Sequence, residues 1–299
     1  MKKLRFLVSL TTSKNDYQLE QAATAQDAAR RLGADLEILY ADNDAITQST
    51  QILKAIQAAP ELRPHAIVFE PVGATSLPQV ARTAVGAGIS WAVLNREAEY
   101  LRELRKTSRV PIFSVSSDHK EIGKIQGQQF AAMLPRGGSI LYIQGPSENS
   151  AAKERTEGMH SALPGKIQVI ALRGQWTEES AYKSISSWLR LNLARKGGID
   201  LIGAQNDAMA IGARKSFAEL IHKEEREQWL RLPYTGVDGL PKTGQAWVRT
   251  GTLKATVVVP ANAGQAISMI AEAIKTGSVV PERSYTAASS FPLLEKLAR

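Results

Sequence analysis

The residues of this 299-residue chain that could do chemistry are polar side chains set just past short apolar runs. Asn206 follows the run 201–204, and Asp238 follows the run 234–237. Asparagine offers a donor and an acceptor, and an ionised aspartate offers acceptors only. Two such groups converging on one cleft suit a ligand rich in hydroxyls. The same placement recurs along the chain. Thr11, Asn15 and Tyr17 come after the run 4–10, and Asn95 and Arg96 come after 91–94. Lys153 lies at a helix start after 140–143, and Trp176 follows the run ending near 172. In open α/β sheets, ligands bind beyond the carboxyl ends of the strands. These nine residues are therefore the candidate ligand-binding set. Polar residues at such positions also cap helices, and capping is the role expected of Asp207 and Ser150. It does not account for Arg96 or Trp176, which are poor caps. The competing role for Trp176 is partial core packing.

Catalytic chemistry lacks its parts. His65, His119, His160 and His222 have no metal-ligand spacing, and His119, at a helix start beside Asp118, is expected to be exposed. Glu224 and Glu225 belong to a charged helix end. No GxSxG, P-loop or GxGxxG string follows a strand. Gly86-Ala87-Gly88 lies between a helix and a strand, the wrong side of a β-α unit for phosphate binding. The absence of cysteine excludes disulfides and thiol chemistry. The expectation is a binding protein, not an enzyme, with no cofactor and no metal.

The elements that must position these residues alternate from the start. Apolar runs at 4–10, 36–40, 66–69 and 91–94 read as strands, with helical spacing over 17–32, 47–58 and 77–87. Gly33 stands where a helix C-cap glycine belongs. The polar stretch 97–109 reads as a short exposed helix or a loop. After a strand at 111–115, Ser116-Ser117-Asp118 reads as a crossing followed by a helix N-cap. A second series begins there. Its helices are 118–133, 150–163, 178–193 and 208–221, and its strands are 140–143, 169–172, 201–204, 234–237 and 256–259. A helix at 263–276 follows. The fold class is α/β, with two doubly wound parallel-sheet lobes and trailing elements that return to the first lobe, so that the chain crosses more than once. Such a hinge permits closure around a ligand in the cleft.

Composition agrees with a globular protein. The chain is long enough for two domains with real cores, and 43% of its residues are hydrophobic. Lys and Arg number 37 against 29 Asp and Glu, a net charge of +8. No basic run is interleaved with aromatics, so the excess reads as a solvated surface and no direct nucleic-acid partner is expected. The opening MKKLRFLVSL is too short and too interrupted by Arg5 for a signal peptide, and reads as the first strand. On that reading the chain is cytoplasmic, or periplasmic if a leader has been removed.

The segments NSAAKERTEGM (149–159), GAQNDAMAIGA (203–213) and TGVDG (235–239) resemble the type I periplasmic sugar-binding proteins, the ribose-binding branch in particular. They also resemble the effector-binding cores of the lactose-repressor class. The resemblance runs over nearly the whole chain. It implies a hinged two-lobe receptor for a small ligand, with lobes at 1–116 plus 260–287 and 117–259 plus 288–299. It assigns a ligand hydrogen bond to Asn15, aromatic packing on a sugar to Tyr17 and Trp176, and the second-lobe carboxamide and carboxylate to Asn206 and Asp238. Asn95-Arg96 stands where the family has Asp-Arg, and Lys153 stands where it has arginine. Gln18 replaces a common second aromatic, and Val258-Val259 occupies the place of a frequent glutamine. Arg96 and Lys153 against Asp238 leave a charge of +1, so an anionic ligand such as a sugar acid or sugar phosphate is expected beside a neutral sugar. The implied reader of the closed form is a membrane permease or a signalling partner, and the protein is a monomer or a homodimer. The alternative is a cytoplasmic regulatory effector core, related to the lactose-repressor class, without its DNA-binding domain.

Overall fold

The computed structural model describes residues 3–72, 77–96, 98–191 and 198–298. Residue 97 of the polar stretch, and positions 192–193 of the helix expected at 178–193, lie outside them. The chain forms two compact units. Unit 1 is Met1–Ser117 with Ala261–Thr286, and unit 2 is Asp118–Pro260 with Ala287–Arg299. The chain therefore passes between the units three times.

Unit 1 runs β1 (Arg5–Leu10), α1 (Asp16–Leu32), β2 (Asp35–Tyr40), α2 (Ala45–Gln57), β3 (Ala66–Phe69), α3 (Pro78–Gly86), β4 (Ser90–Leu94), α4 (Tyr100–Thr107) and β5 (Ile112–Ser117). Unit 2 follows with α5 (His119–Met133), β6 (Gly138–Gln144), α6 (Ser150–Ala162), β7 (Ile167–Arg173), α7 (Glu178–Arg190), β8 (Leu201–Ala204), α8 (Asp207–Ala218), α9 (Lys223–Arg231), β9 (Tyr234–Asp238), α10 (Gly244–Arg249) and β10 (Ala255–Val258). The chain then returns to unit 1 for α11 (Ala263–Thr276) and β11 (Arg283–Thr286), and ends in unit 2 with β12 (Ser289–Phe291).

The two sheets share one plan. The strand orders are β11-β5-β4-β3-β1-β2 and β12-β10-β9-β8-β6-β7. All neighbours are parallel except β12, which pairs antiparallel with β10. Each order reverses direction between the unit's first and third strands, β1/β3 and β6/β8, which is where open α/β sheets bind ligands. Strand side chains alternate between faces. Phe6, Val8 and Leu10 face a core shared with α1 and α11, and Leu7 faces one shared with α2, α3 and α4. In unit 2, Ile140 and Tyr142 pack with α5 and α6, while Leu141 and Ile143 pack with α7, α8 and α9. Burial on both faces explains why the inner strands read as continuous apolar runs.

The stretch expected as exposed helix or loop forms α4, with Leu101 buried. Asp118 caps α5 through Oδ1, which accepts the Glu121 N–H at 2.9 Å. His119 is buried, not exposed, because it lies on the same inward stripe of α5 as Ile122, Gly123 and Gln126. Strands β11 and β12 and helices α9 and α10 had no counterpart in the sequence reading, and Glu224 and Glu225, expected at a charged helix end, lie in the first turn of α9. Among the described residues, no helix is long and apolar enough to cross a membrane.

Candidate functional site

In unit 1 the carboxyl ends of β1, β3 and β4 are joined by a buried polar network centred on Glu70, the residue after β3. Its Oε2 accepts Gln18 Nε2 at 2.9 Å, Asn95 Nδ2 at 3.1 Å and Gln21 Nε2 at 3.5 Å. Asn95 Oδ1 accepts Asn262 Nδ2 at 2.7 Å, and Asn262 Oδ1 accepts Gln21 Nε2 at 2.9 Å. Gln21 Oε1 closes the circuit by accepting the backbone N–H groups of Asn262 and Ala263, both at 2.8 Å. A buried carboxylate is tolerated when its oxygens are hydrogen-bonded in this way.

The five unit 1 candidates lie on this network or beside it. The Tyr17 hydroxyl is 3.4 Å from Asn95 Nδ2. Asn95 takes a positive φ of 55°, a region that Asn tolerates better than most residues. Arg96 Nη1 donates to the Asn95 carbonyl at 2.8 Å. The Thr11 N–H donates to Gln18 Oε1 at 3.0 Å. Asn15 is the N-cap of α1, its Oδ1 accepting the N–H groups of Tyr17 and Gln18 at 2.9 and 3.2 Å.

In unit 2 the ends of β6, β7, β8 and β9 carry a second cluster. Asn206 caps α8, with Oδ1 accepting the Met209 N–H and Nδ2 donating to the Trp176 carbonyl, both at 2.9 Å. Trp176 holds a φ of 63°, an outlier for a bulky residue. The guanidinium of Arg155 lies 5.4 Å from the centroid of its ring, within cation–π range. On another side the indole lies against Gly145, where a Cβ would come within 2.3 Å of a ring carbon. Only glycine at 145 leaves room for the indole in this position. Arg155 is buried and donates from Nη1 to the Gln205 carbonyl, while Gln205 Oε1 accepts the Gly145 N–H at 2.8 Å. Asp238 ends β9 with a φ of 107°.

Lys153 is exposed on α6, and its amine joins none of these hydrogen bonds. The buried cation of that helix is Arg155, which the sequence reading passed over. It also passed over Glu70, Gln21, Asn262 and Gln205. Asp207 and Ser150 are not caps. They are the first residues of their helices, and the capping side chains are Asn206 and Asn149. Gln18, in place of an aromatic, is a buried partner of Glu70. Val258 is half-buried and Val259 buried.

The electrostatics differ from the sequence count as well. In unit 1 both Arg96 and Glu70 bond to Asn95. In unit 2 the charge of Arg155 acts on Asp207, as does that of Asp238. Burial, and then the charge of Asp238, push the Asp207 carboxyl well above the ordinary range, partly offset by hydrogen bonds from Thr256 and Gly239 and by Arg155. Its folded-state pKa exceeds its unfolded one, so the native state holds the extra proton. That contribution to stability is complete below the unfolded value of 3.8 and is lost as pH rises through the folded value. Urea unfolding across pH should show wild type losing stability relative to Asp207→Asn as pH rises. Parallel profiles would contradict the shift.

Residues 6–278 match the family described as periplasmic binding protein domain. The putative rhizopine-binding protein of Rhizobium meliloti is 28% identical over 194 residues, 63% of this chain and 59% of that protein. The chain thus spans less than two thirds of that relative's length. The ribose import binding protein of Escherichia coli (strain K12) is 25% identical over 249 residues, 83% of this chain and 76% of that protein. An ABC transporter periplasmic solute binding protein from Actinobacillus succinogenes 130z, solved with bound D-allose, shares the fold at a TM-score of 0.82, with 20% identity and 99% of each chain covered. The match from β1 to just past α11 takes in both polar clusters and both sheets except their edge strands β11 and β12, and the chain belongs to the periplasmic binding protein family.

Proposed function

We propose that this protein is a non-enzymatic receptor for a neutral sugar or sugar-like polyol, and that it presents the bound ligand to a membrane permease of the ABC type. The observation that carries the reading is the composition of the two clusters. Each sets carboxylate, carboxamide, guanidinium and one aromatic ring at the carboxyl ends of its strands: Glu70, Asn95, Arg96 and Tyr17 in unit 1, and Asp238, Asn206, Arg155 and Trp176 in unit 2. Carboxylates and amides suit hydroxyls, and ring faces suit the apolar C–H face of a sugar. The nine candidates remain the proposed ligand contacts, with Lys153 peripheral and Glu70 and Arg155 added. Ligand binding would shift an equilibrium between conformations that the permease reads.

The case for an anionic ligand rested on a surplus of positive charge. With Lys153 exposed and Asp207 held neutral, the guanidiniums of Arg96 and Arg155 are matched by the carboxylates of Glu70 and Asp238, which removes that surplus and favours a neutral ligand. Calorimetric titration with D-ribose, D-allose and D-galacturonate tests this. Binding of a neutral sugar is expected, and tight binding of the acid alone would overturn it. Trp176→Phe should abolish most of the fluorescence change on titration, and an undiminished change would remove Trp176 from the ligand site. The family's compartment argues for action outside the cytoplasmic membrane, and fractionation of cells expressing the natural gene checks that placement.

A further inference from the structure

Asp207, the first residue of α8, does a job that neither capping nor ligand contact explains. It is buried, and its two oxygens reach different elements. Oδ2 accepts the Gly239 N–H at 2.8 Å, and Oδ1 pairs with the Thr256 hydroxyl at 2.7 Å. The space it fills is kept open by two missing side chains. A Cβ at Gly236 would stand 2.1 Å from Oδ1, and one at Gly244 would stand 2.0 Å from Oδ2. The carboxyl is thus wedged between β9, the start of α10 and β10. Its partner Gly239 is held at both backbone groups, since Gln245 Nε2 donates to the Gly239 carbonyl at 2.8 Å. Immediately before it, Asp238 keeps a φ of 107°. A non-glycine residue holds such a conformation only where its surroundings over-determine it.

We propose that Asp207 is the positioning residue for Asp238, fixing the ligand-binding carboxylate through the Gly239 N–H and the Thr256 hydroxyl by hydrogen-bond geometry and not by charge. The inference rests on the reading of Asp238 as a ligand contact. A neutral acid satisfies both partners: its carbonyl oxygen accepts from Gly239 and its O–H donates to Thr256, whose hydroxyl works in either direction. Burial and the neighbouring Asp238 favour that neutral form. An asparagine can reproduce both bonds and an alanine neither.

The test has a ligand-free arm and a ligand arm. In the unliganded protein, Asp207→Ala should speed hydrogen exchange at the Gly239 amide by about a hundredfold as its acceptor is lost. Asp207→Asn should leave that exchange near wild type. In D-ribose and D-allose titrations the alanine variant should bind about tenfold more weakly, the scale of one lost buried hydrogen bond, and the asparagine variant should bind like wild type. Unchanged Gly239 exchange in the alanine variant overturns the proposal whatever the ligand. An asparagine variant as impaired as alanine also overturns it, since charge would then be the requirement. If Asp207→Ala does not fold, Thr256→Val removes one anchor while keeping the shape. Faster Gly239 exchange is then expected, and an unchanged rate refutes the proposal. Failure of wild type to bind either sugar would sink the sugar reading alone, because the exchange arm still decides the role of Asp207.

Discussion

Glu70→Gln and Asn95→Asp should each be damaging alone and should largely rescue each other when combined. Glu70 Oε2 is the acceptor shared by the side-chain amides of Gln18, Asn95 and Gln21. A glutamine there weakens the acceptor and turns an amide toward amide donors. Asn95→Asp instead sets a second carboxylate where Nδ2 now stands, 3.1 Å from the first. Like charges at that distance cannot both ionise readily. Each single variant should lose about 2–3 kcal/mol of stability, the scale of an unsatisfied or uncompensated buried charged group. The double variant restores one carboxylate and one amide facing each other across the same gap, and the carboxylate now at position 95 can still accept from Asn262. A favourable coupling of about 3–5 kcal/mol is expected from the double-mutant cycle, which returns the double variant to within about 1 kcal/mol of wild type. Additive penalties in urea unfolding would mean that the two side chains do not act as a pair. The resemblance places a carboxylate at position 95. This chain has asparagine there, and the carboxylate of the same network stands at position 70.

Arg155→Ala should be the most costly single change at the unit 2 cluster, and Lys153→Ala one of the least. The guanidinium is buried, bonded to the Gln205 carbonyl and set over the Trp176 ring. Its removal leaves that carbonyl and the nearby acids without their cation, a loss of about 3–5 kcal/mol for a broken buried charge arrangement. Lysine at 155 offers neither the planar fork nor the stacking surface, so Arg155→Lys should recover only part of the loss. Lys153 is exposed, and its truncation should stay within about 0.5 kcal/mol. Urea unfolding compares the three variants, and tryptophan emission reports whether the indole has moved. Equal stability of Arg155→Ala and wild type would show that the stack holds nothing in place.

The order of the β-α units was legible because their inner strands are buried on both faces and so appear as unbroken apolar runs. Strands β11 (RSYT) and β12 (SSF) were not, because they are short sheet edges with largely polar sequences. The rule that looks for polar residues just past a strand found Asn95, Asn206 and Asp238. Applied to the run 66–69 it would also have found Glu70, which stands in the same position before Pro71. The choice of Lys153 over Arg155 could have been made from spacing. Ala151, Ala152, Arg155, Gly158 and Met159 make one buried helical stripe, and residue 153 is turned about 200° from 155. No such signal exists for Gln21 and Asn262, whose side chains meet across 241 residues of sequence. Only folding the returning segment onto the first sheet reveals that pair.

That returning segment also sets an order in time. Ala263, Ala266, Ile267 and Ile270 of α11 are buried in the same core as Ala22, Ala25 and Ala28 of α1, and Asn262 closes the circuit around Gln21 and Asn95. During synthesis the first 117 residues emerge long before these partners do. Their sheet must wait with the part of one apolar face that α11 covers, and the Gln21 amide, uncovered until nearly the whole chain has been made, at about 5–20 residues per second. The second unit waits too, since β12 completes its sheet edge from residues 289–291. A nascent chain stalled between positions 118 and 260 would therefore hold two unfinished halves, not one finished domain and one unfinished one.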